Sequence, residues 1–240
     1  MTRTHTYRLA GTFLLALGLI PIACTGDQTP PAEADMTEAQ ADAMPMIPPS
    51  FVYIQHGVAD FDAWLVEYDA FDDERAAADV AEIWVYRDLD QPDVIHALHG
   101  AGDVETLQSF TQMEDLAAAM QKAGVMGPPR FDFMNLVDGT APETPVESQY
   151  SVLVAHEVAD WDQWKAAFDA HKPARDAAGL TTRGVSRGAD GSNKVYINFA
   201  VSDLEKARAF VASDDLKTAM EGAGVVGVPE IYFAETVRPM

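Results

Sequence analysis

The segment Ala123-Gly-Val-Met-Gly-Pro-Pro129 returns as Ala223-Gly-Val-Val-Gly-Val-Pro229, and this repetition at a spacing of 100 residues decides the fold. Reading outward from it, His56-Gly-Val-Ala-Asp60 matches His156-Glu-Val-Ala-Asp160 at the same spacing. No gap is needed anywhere between the two stretches, which indicates a duplicated structural unit. The sequence therefore predicts two copies of one small domain.

The copies are expected at residues 51–137 and 150–238, with a linker at 138–149. Alternating apolar residues and helical spacings predict the order strand, helix, strand, strand, helix, strand in each copy. In the second copy, Asp160 and Asp203 are the expected helix N-caps, with a kink in the second helix near Ser213. The expected strands of that copy are Tyr150–Glu157, Thr181–Arg187, Lys194–Val201 and Glu230–Val237.

This order of elements is the ferredoxin-like βαββαβ arrangement, of the α+β class. Its sheet carries helices on one face, so two such sheets packed face to face bury both uncovered faces. Residues 51–237 resemble the dimeric α/β-barrel superfamily, which includes the antibiotic-biosynthesis-monooxygenase-like and stress-responsive barrel families. The resemblance rests on the element order and on the repeated Ala-Gly-Val-x-Gly-x-Pro segment. It implies an intramolecular pseudo-dimeric α/β barrel, with the two tandem domains packed sheet to sheet.

The first 24 residues are typical of an export signal. Arg3 and Arg8 precede an apolar run, Leu9 to Ile22. This run is shorter than the roughly 20 residues that a membrane span needs, so a secretory signal peptide is the better interpretation.

Cys24 is the single cysteine of the chain, and it follows Pro21-Ile22-Ala23. This placement resembles a bacterial lipobox, although Pro21 stands where leucine is usual. The resemblance implies a lipid on Cys24 that anchors the chain to the membrane. Because Thr25 and not aspartate follows, it favours the outer membrane. The alternative is ordinary signal cleavage beside an incidental cysteine. The acidic stretch 25–49, rich in Pro and Ala, is expected to be a disordered tether.

Composition excludes several classes of function. The chain has 16 Lys and Arg against 38 Asp and Glu, a formal net charge of −22. It has no basic patch, so nucleic acid is not an expected partner. One cysteine permits neither an internal disulfide nor a cysteine-based metal site. No metal and no cofactor are predicted.

A cavity between the two sheets would be lined by alternate residues of each strand, and a mixed aromatic and polar lining suits a small organic ligand. A filled barrel core is the alternative. The expected cavity residues with polar or aromatic side chains are Tyr53, Gln55, Trp84, Tyr86, His96, Asp132, Tyr196, Asn198 and Tyr232. The expected apolar ones are Leu98, Met134, Leu153 and Ala155.

Histidines are the candidate proton-transfer residues, because imidazole titrates near neutral pH. His96 and His56 are the catalytic candidates. A structural role for His56 and for His156 is the alternative, since both copies keep this residue. His96 and His99 should point to opposite faces of their strand, which argues against a shared metal site.

Four arginines recur between the copies and are candidate anion-binding groups, because guanidinium binds carboxylate and phosphate through paired donors. They are Arg75, Arg175, Arg87 and Arg187. Pairing with the protein's own acidic residues is the alternative.

Three functions remain open from the sequence. The first is an envelope lipoprotein that binds a small molecule or is structural. The second is a cofactor-free monooxygenase-like enzyme acting on a small organic substrate between the sheets, as the superfamily resemblance implies. The third is a haem-handling protein with His96 as axial ligand, as some relatives of the fold imply.

Overall fold

The computed structural model describes residues 47–142 and 146–238. The predicted signal, lipidation site and nearly all of the predicted tether lie outside these residues. The first half, residues 50–136, contains β1 (Ser50–Val58), α1 (Phe61–Asp69), α2 (Asp72–Ala77), β2 (Ala81–Asp88), β3 (Val94–Ala101), α3 (Val104–Thr111), α4 (Glu114–Lys122) and β4 (Val125–Leu136). The second half, residues 150–238, contains β5 (Tyr150–Val158), α5 (Trp161–Ala170), α6 (Lys172–Ala177), β6 (Leu180–Gly188), β7 (Lys194–Val201), α7 (Leu204–Val211), α8 (Asp214–Gly222) and β8 (Val225–Arg238).

The eight strands form one closed antiparallel barrel in the order β1-β3-β2-β8-β5-β7-β6-β4. Its two halves meet where β2 pairs with β8 and where β4 pairs with β6. Within each half the register is the same: Ser50 faces Ala101, and Tyr150 faces Val201. Closure leaves no unpaired sheet edge and encloses an interior lined by side chains from both halves.

Aspartates begin the longer helices at equivalent places. The side chain of Asp60 accepts a hydrogen bond from the backbone N–H of Ala63, and Asp160 accepts one from Gln163, both at 2.8 Å. Asp203 caps α7 in the same way, through Lys206. The two predicted caps are therefore confirmed, and the residue type explains them, because a carboxylate satisfies the free N–H groups of the first turn.

Each predicted helix is in fact two short helices. The expected kink near Ser213 is a full break, and Ser213 is the N-cap of α8. The break before α6 follows from Pro173, which stands in the first turn of that helix.

The last strand of each half begins earlier than expected. β8 starts at Val225, five residues before the expected Glu230, and β4 starts at Val125. Gly127 and Gly227 are inside these strands with φ of 72° and 75°. Glycine tolerates this left-handed conformation, and the pairing with β1 and β5 shifts register at this level.

The helix-covered face of each sheet is apolar, as the alternation predicts. In the second half, Val152, Val195 and Phe199 pack with Trp164 beneath the helices. Val52, Leu107 and Phe110 form the corresponding layer of the first half. The other face of each sheet lines the barrel interior, where Tyr53, Trp84, Tyr86 and Leu153 belong to one cluster. Among the described residues, no helix has the length and hydropathy needed to cross a membrane.

Candidate ligand cavity inside the barrel

The barrel interior holds a mainly apolar cavity of about 100 Å³. Six of the expected polar or aromatic cavity residues line it, namely Tyr53, Trp84, Tyr86, Tyr196, Asn198 and Tyr232. Leu98, Met134, Leu153 and Ala155 line it as well. Gln55, His96 and Asp132 do not. Engineered apolar cavities of about 150 Å³ bind benzene, so this space suits a molecule of about that size or smaller.

The space exists because the strands β2 and β6 carry side chains of unequal size. The interior positions of β2 are Trp84, Tyr86 and Asp88, whereas the equivalent positions of β6 are Gly184, Ser186 and Gly188. Gly184 and Ser186 line the cavity opposite the bulk of β2. The two halves therefore build different walls around one cavity.

Arg183 is the charged group of this wall, and the sequence analysis missed it. Simple alternation along β6 places it beneath the helices, but the pairing with β7 shifts between Thr182 and Gly184. An extra residue at such a bulge reverses the direction of the side chain. Arg183 therefore points inward and is only 7% exposed.

The Arg183 guanidinium is held from several sides but keeps one nitrogen free. Its Nε donates to the carbonyl of Val146 at 2.6 Å, and Nη1 donates to the hydroxyl of Ser151 at 2.6 Å. Its plane lies 4.1 Å from the centre of the Trp84 ring. Nη2 has no hydrogen-bond partner among the described residues.

A second unpaired polar atom lies beside it. Asn198 Nδ2 donates to the hydroxyl of Tyr86 at 2.7 Å, and Arg183 Nη1 donates to the same hydroxyl at 3.3 Å. The amide oxygen of Asn198 has no partner in the described part of the chain. Burial raises the pKa of Tyr86 to about 12, so this phenol stays neutral. An unpaired donor and an unpaired acceptor thus belong to two residues of the cavity wall that both donate to the Tyr86 hydroxyl.

The Glu147 carboxylate acts to raise the pKa of Arg183, but the two side chains form no ion pair within the described residues. None of the ion pairs found in residues 47–142 and 146–238 includes Arg183. Burial lowers the pKa of its guanidinium, which reflects the cost of keeping this charge away from water.

A second polar group, His96, lies behind the part of the cavity wall that Tyr53 forms. His96 is fully buried, and its Nε2 lies 3.0 Å from Asp88 Oδ2. Its Nδ1 lies 2.6 Å from the hydroxyl of Tyr53, which lines the cavity. The imidazole also packs against the ring of Tyr232, with centroids 4.9 Å apart. His96 therefore lies behind Tyr53 and Tyr232, which line the cavity, and does not line it directly as expected.

Asp132 belongs to an ion-pair network outside the cavity lining. It lies 2.6 Å from Arg130 and 3.5 Å from Lys194, and Arg130 in turn contacts Glu230 at 2.5 Å. Burial acts to lower the pKa of Arg130, but its hydrogen bonds to Glu230 and Asp132 outweigh burial and raise it. Arg130 and Glu230 stand at equivalent positions of the two halves, so this network joins them.

No known protein-family model matches the chain, and no curated protein sequence matches it. Solved structures do. A candidate monooxygenase from Fusobacterium nucleatum has a TM-score of 0.55 at 9% identity, over 80% of this chain and 94% of that one. A candidate chlorite dismutase has 0.54 at 12%, over 79% and 95%. A candidate monooxygenase from Lactobacillus acidophilus has 0.53 at 12%, over 79% and 94%.

The described part of the chain has the dimeric α/β-barrel fold. Identities this low show the fold alone, so the chemistry of the barrel has to be argued from its own residues.

His56 does not reach the barrel interior, which corrects its place among the candidates for chemistry in that cavity. His56 and His156 end β1 and β5 on the helix-covered side, with their rings 5.7 and 5.6 Å from Trp64 and Trp164. Burial lowers the pKa of each to about 4. His99 also lies on this side, where the Tyr68 hydroxyl contacts its Nε2 at 2.8 Å. His96 and His99 thus point to opposite faces, as predicted.

The four recurrent arginines lie apart from the barrel cavity. Arg75 and Arg175 are buried under the helices and donate to the carbonyls of Tyr68 and Phe168, at 3.2 and 2.5 Å. Arg75 also pairs with Asp72. The other two lie near the hairpin turns: Arg87 donates to the carbonyl of Pro92 at 2.6 Å, and Arg187 contacts the side-chain oxygen of Asn193 at 3.4 Å. The structure does not bring the four together.

Proposed function

We propose that this barrel binds a small planar molecule that carries a negative group, such as an aromatic or short aliphatic carboxylate. The observation that supports this proposal is Arg183, a buried cation whose Nη2 has no hydrogen-bond partner in the described part of the chain. An unpaired buried charge is costly, and a bound anion beside it offsets that cost. The apolar cavity next to it accommodates the rest of the molecule.

The polar groups also set the orientation of the ligand. One carboxylate oxygen can accept from Arg183 Nη2, while a neighbouring hydroxyl or amide of the ligand can donate to the free oxygen of Asn198. The flat side chains of Trp84, Tyr196 and Tyr232 favour a planar ligand over a branched one.

Calorimetric titration with acetate, propionate, isobutyrate and benzoate tests this proposal on the purified chain. Affinity is expected to rise with apolar size until the cavity is full. Arg183→Met is expected to weaken binding at least about tenfold, because a charged hydrogen bond contributes about 1.5 kcal/mol or more. Arg187→Met removes the same charge from the exposed end of the same strand and is expected to change little. Equal losses in the two variants would attribute binding to net charge and refute the site.

A cofactor-free oxidation of the bound molecule is the second candidate function. One observation favours it, since oxidation of a phenol or enol by O₂ requires proton removal, and Tyr53 is linked to His96 and Asp88. Uptake of O₂ by the purified, metal-free chain with hydroquinone tests it. An uptake rate unchanged by His96→Gln would refute this candidate.

Haem does not fit the barrel cavity. An axial histidine needs a free nitrogen, and both ring nitrogens of His96 already have partners. A space of about 100 Å³ is also too small for a macrocycle, because an engineered cavity of about 150 Å³ accommodates a molecule the size of benzene. We therefore propose no haem in this cavity.

We further infer that residues 51–137 and 150–238 are tandem domains fused from a former homodimer, joined by the linker 138–149. The equal registers of β1 with β3 and of β5 with β7 support this. Limited proteolysis should cut first within 138–149. Separate expression of the two segments should then yield a heterodimer, and failure of the segments to associate would contradict the inference.

Export and lipid anchoring at Cys24 remain proposals that rest on the sequence. Palmitate labelling in a Gram-negative host, with Cys24→Ser as control, distinguishes lipidation from simple signal cleavage. Label on the wild-type chain and none on the variant is the expected result. Fractionation of the labelled membranes tests the proposed outer-membrane location.

A further inference from the structure

Three buried residues of the first half form a continuous hydrogen-bonded chain that ends at the cavity. Asp88 is 3% exposed and His96 is fully buried. Tyr53 completes the chain with a 2.6 Å contact to His96 and contributes to the cavity wall. Buried polar groups are costly unless each one has a hydrogen-bond partner, so packing alone does not explain this chain.

The protons of this chain can be assigned from its partners. Burial acts to raise the pKa of Asp88, but hydrogen bonds from His96 and from the backbone of Gln91 and Asp90 outweigh it and lower this pKa. Asp88 is therefore an anion that requires a proton on His96 Nε2. The Nδ1 atom of a neutral His96 then accepts the O–H of Tyr53. In this arrangement the Tyr53 oxygen donates its own proton and keeps its lone pairs for a further hydrogen bond.

Tyr53 itself does not store the negative charge. Burial, with further contributions from Tyr232 and from Asp132 and Glu230, raises its pKa well above the usual range, and Arg130 only partly opposes them. A proton that leaves the Tyr53 oxygen toward His96 must therefore be matched by one that arrives from the ligand.

We propose that Tyr53 is a proton-accepting catalytic residue of the barrel cavity, with His96 and Asp88 as the positioning residues that take up its proton. This rests on the proposed function, because the reacting molecule is the small planar acid in the cavity. An O–H or C–H bond of that molecule breaks, and its proton bonds to the Tyr53 oxygen. The Tyr53 O–H bond breaks, and that proton bonds to His96 Nδ1. The ligand gains one negative charge, and the resulting imidazolium is stabilised by Asp88.

Only one half of the barrel can carry this step. At the equivalent positions of the second half stand Leu153, Tyr196 and Gly188, none of which is an acid or imidazole that could complete such a chain. The second half instead contributes Arg183, whose place in the first half is taken by Ile83. The proton acceptor and the cation that stabilises the anion thus come from different halves.

The experiment uses 2,6-difluorophenol, which ionises near neutral pH and reports its ionisation through the fluorine chemical shift. 1,3-Difluorobenzene, which has the same shape without the hydroxyl, is the control ligand. In the wild-type chain, the midpoint for ionisation of the bound phenol is expected at least about one pH unit below that of the free phenol, which is a tenfold larger ratio of ionised to neutral phenol. In Tyr53→Phe this shift is expected to disappear, whereas Tyr150→Phe, a tyrosine outside the cavity, should retain it.

A second readout follows the proton to its destination. In chains labelled with ¹⁵N-histidine, His96 Nδ1 should move to the chemical-shift range of a protonated nitrogen when the phenol binds, but not when 1,3-difluorobenzene binds. This measurement needs no variant, so it does not depend on whether substituted chains fold.

The outcomes separate the two proposals. If neither compound binds, the cavity is not a ligand site, and both proposals fail. If both bind while Tyr53→Phe retains the full shift, or if His96 Nδ1 stays unprotonated, binding stands and the proton step is overturned.

Discussion

In the first half, the layer between sheet and helices encloses a cavity of about 40 Å³, whereas the same layer of the second half encloses about 90 Å³. Two substitutions account for much of the difference. Tyr68 and His99 are hydrogen-bonded at 2.8 Å in the first half, and Phe168 and Phe199 replace them in the second. His56 and His156, which occupy equivalent positions, also differ. His56 Nδ1 contacts the carbonyl of Gly57 at 3.4 Å, whereas neither ring nitrogen of His156 has a partner among the described residues.

The side chains that face the barrel interior also differ between the two halves. There the first half contributes bulk and the Tyr53–His96–Asp88 chain, while the second contributes small residues and Arg183. The two halves thus share their strand registers and the aspartate caps of α1, α3, α5 and α7, and they differ in side chains at a few facing positions. Those positions are where function is to be sought, and the predictions below test them.

The largest expected effect is a loss of stability in acid. Burial lowers the pKa of His56 and His156 to about 4 and that of His99 to about 3, so the folded chain binds fewer protons than the unfolded one below pH 6.5. Their stabilising contribution is complete above pH 6.5 and falls as the pH drops toward 4. Three such histidines give a slope of about 4 kcal/mol per pH unit.

Urea unfolding at several pH values, followed by tryptophan fluorescence, measures that slope. The double variant Tyr68→Phe/His99→Phe makes the first-half layer resemble the second and removes one of the three histidines. Its slope is expected to be smaller by about 1.4 kcal/mol per pH unit. Identical slopes would mean that His99 binds its proton equally well in the folded and unfolded chains.

The next largest effect is expected for Asp88→Ala. Asp88 Oδ1 accepts from the backbone N–H groups of Asp90 and Gln91, both at 2.8 Å, and Oδ2 holds His96. The variant removes the acceptor of these turn donors and leaves the fully buried His96 Nε2 without its partner, at a cost of about 3 kcal/mol in the free energy of unfolding. Asp190→Ala at the second hairpin removes a turn carboxylate that accepts from Ser192 and touches no histidine. A cost as large as that of Asp88→Ala would show that turn capping, not the pairing with His96, is the source.

Most of the fold could be predicted from the sequence because each helix and strand is indicated by two equivalent patterns, one in each half. The caps Asp160 and Asp203 and the strand Lys194–Val201 were placed correctly from local patterns alone. The early start of β8 at Val225 was missed, because glycines that usually mark a turn here form a bulge inside the strand.

The site was harder to predict than the fold. Arg183 was missed because a bulge reverses its direction, which alternation along β6 cannot reveal. Asp88 was missed because an acid before a hairpin turn is usually only a turn residue. The sequence contains one signal for Asp88, namely that the equivalent residue of the second half is Gly188 and not an acid.

A smaller effect is expected from closing the cavity with the side chain that the first half uses. Gly184→Trp copies Trp84 into β6, where even a Cβ lies 3.3 Å from Leu136 Cδ1. Overpacking is expected to cost about 1–3 kcal/mol, and benzoate binding is expected to fall at least about tenfold. Ala189→Leu, which copies Leu89 just beyond β6, is the control and should preserve binding. Undiminished binding in Gly184→Trp would place the ligand elsewhere.

The smallest effect is expected from the hydrogen bond that distinguishes the two helix-covered layers. Tyr68→Phe removes the hydroxyl and leaves His99 Nε2 without a partner, which should cost about 1–2 kcal/mol in urea unfolding at pH 7.5. Adding His99→Phe removes the unpaired nitrogen and should recover part of the loss, with a coupling energy of about 1 kcal/mol between the two sites. Strictly additive effects would contradict the view that this pair is the energetic counterpart of Phe168 and Phe199. In that case the smaller first-half cavity would reflect side-chain volume alone.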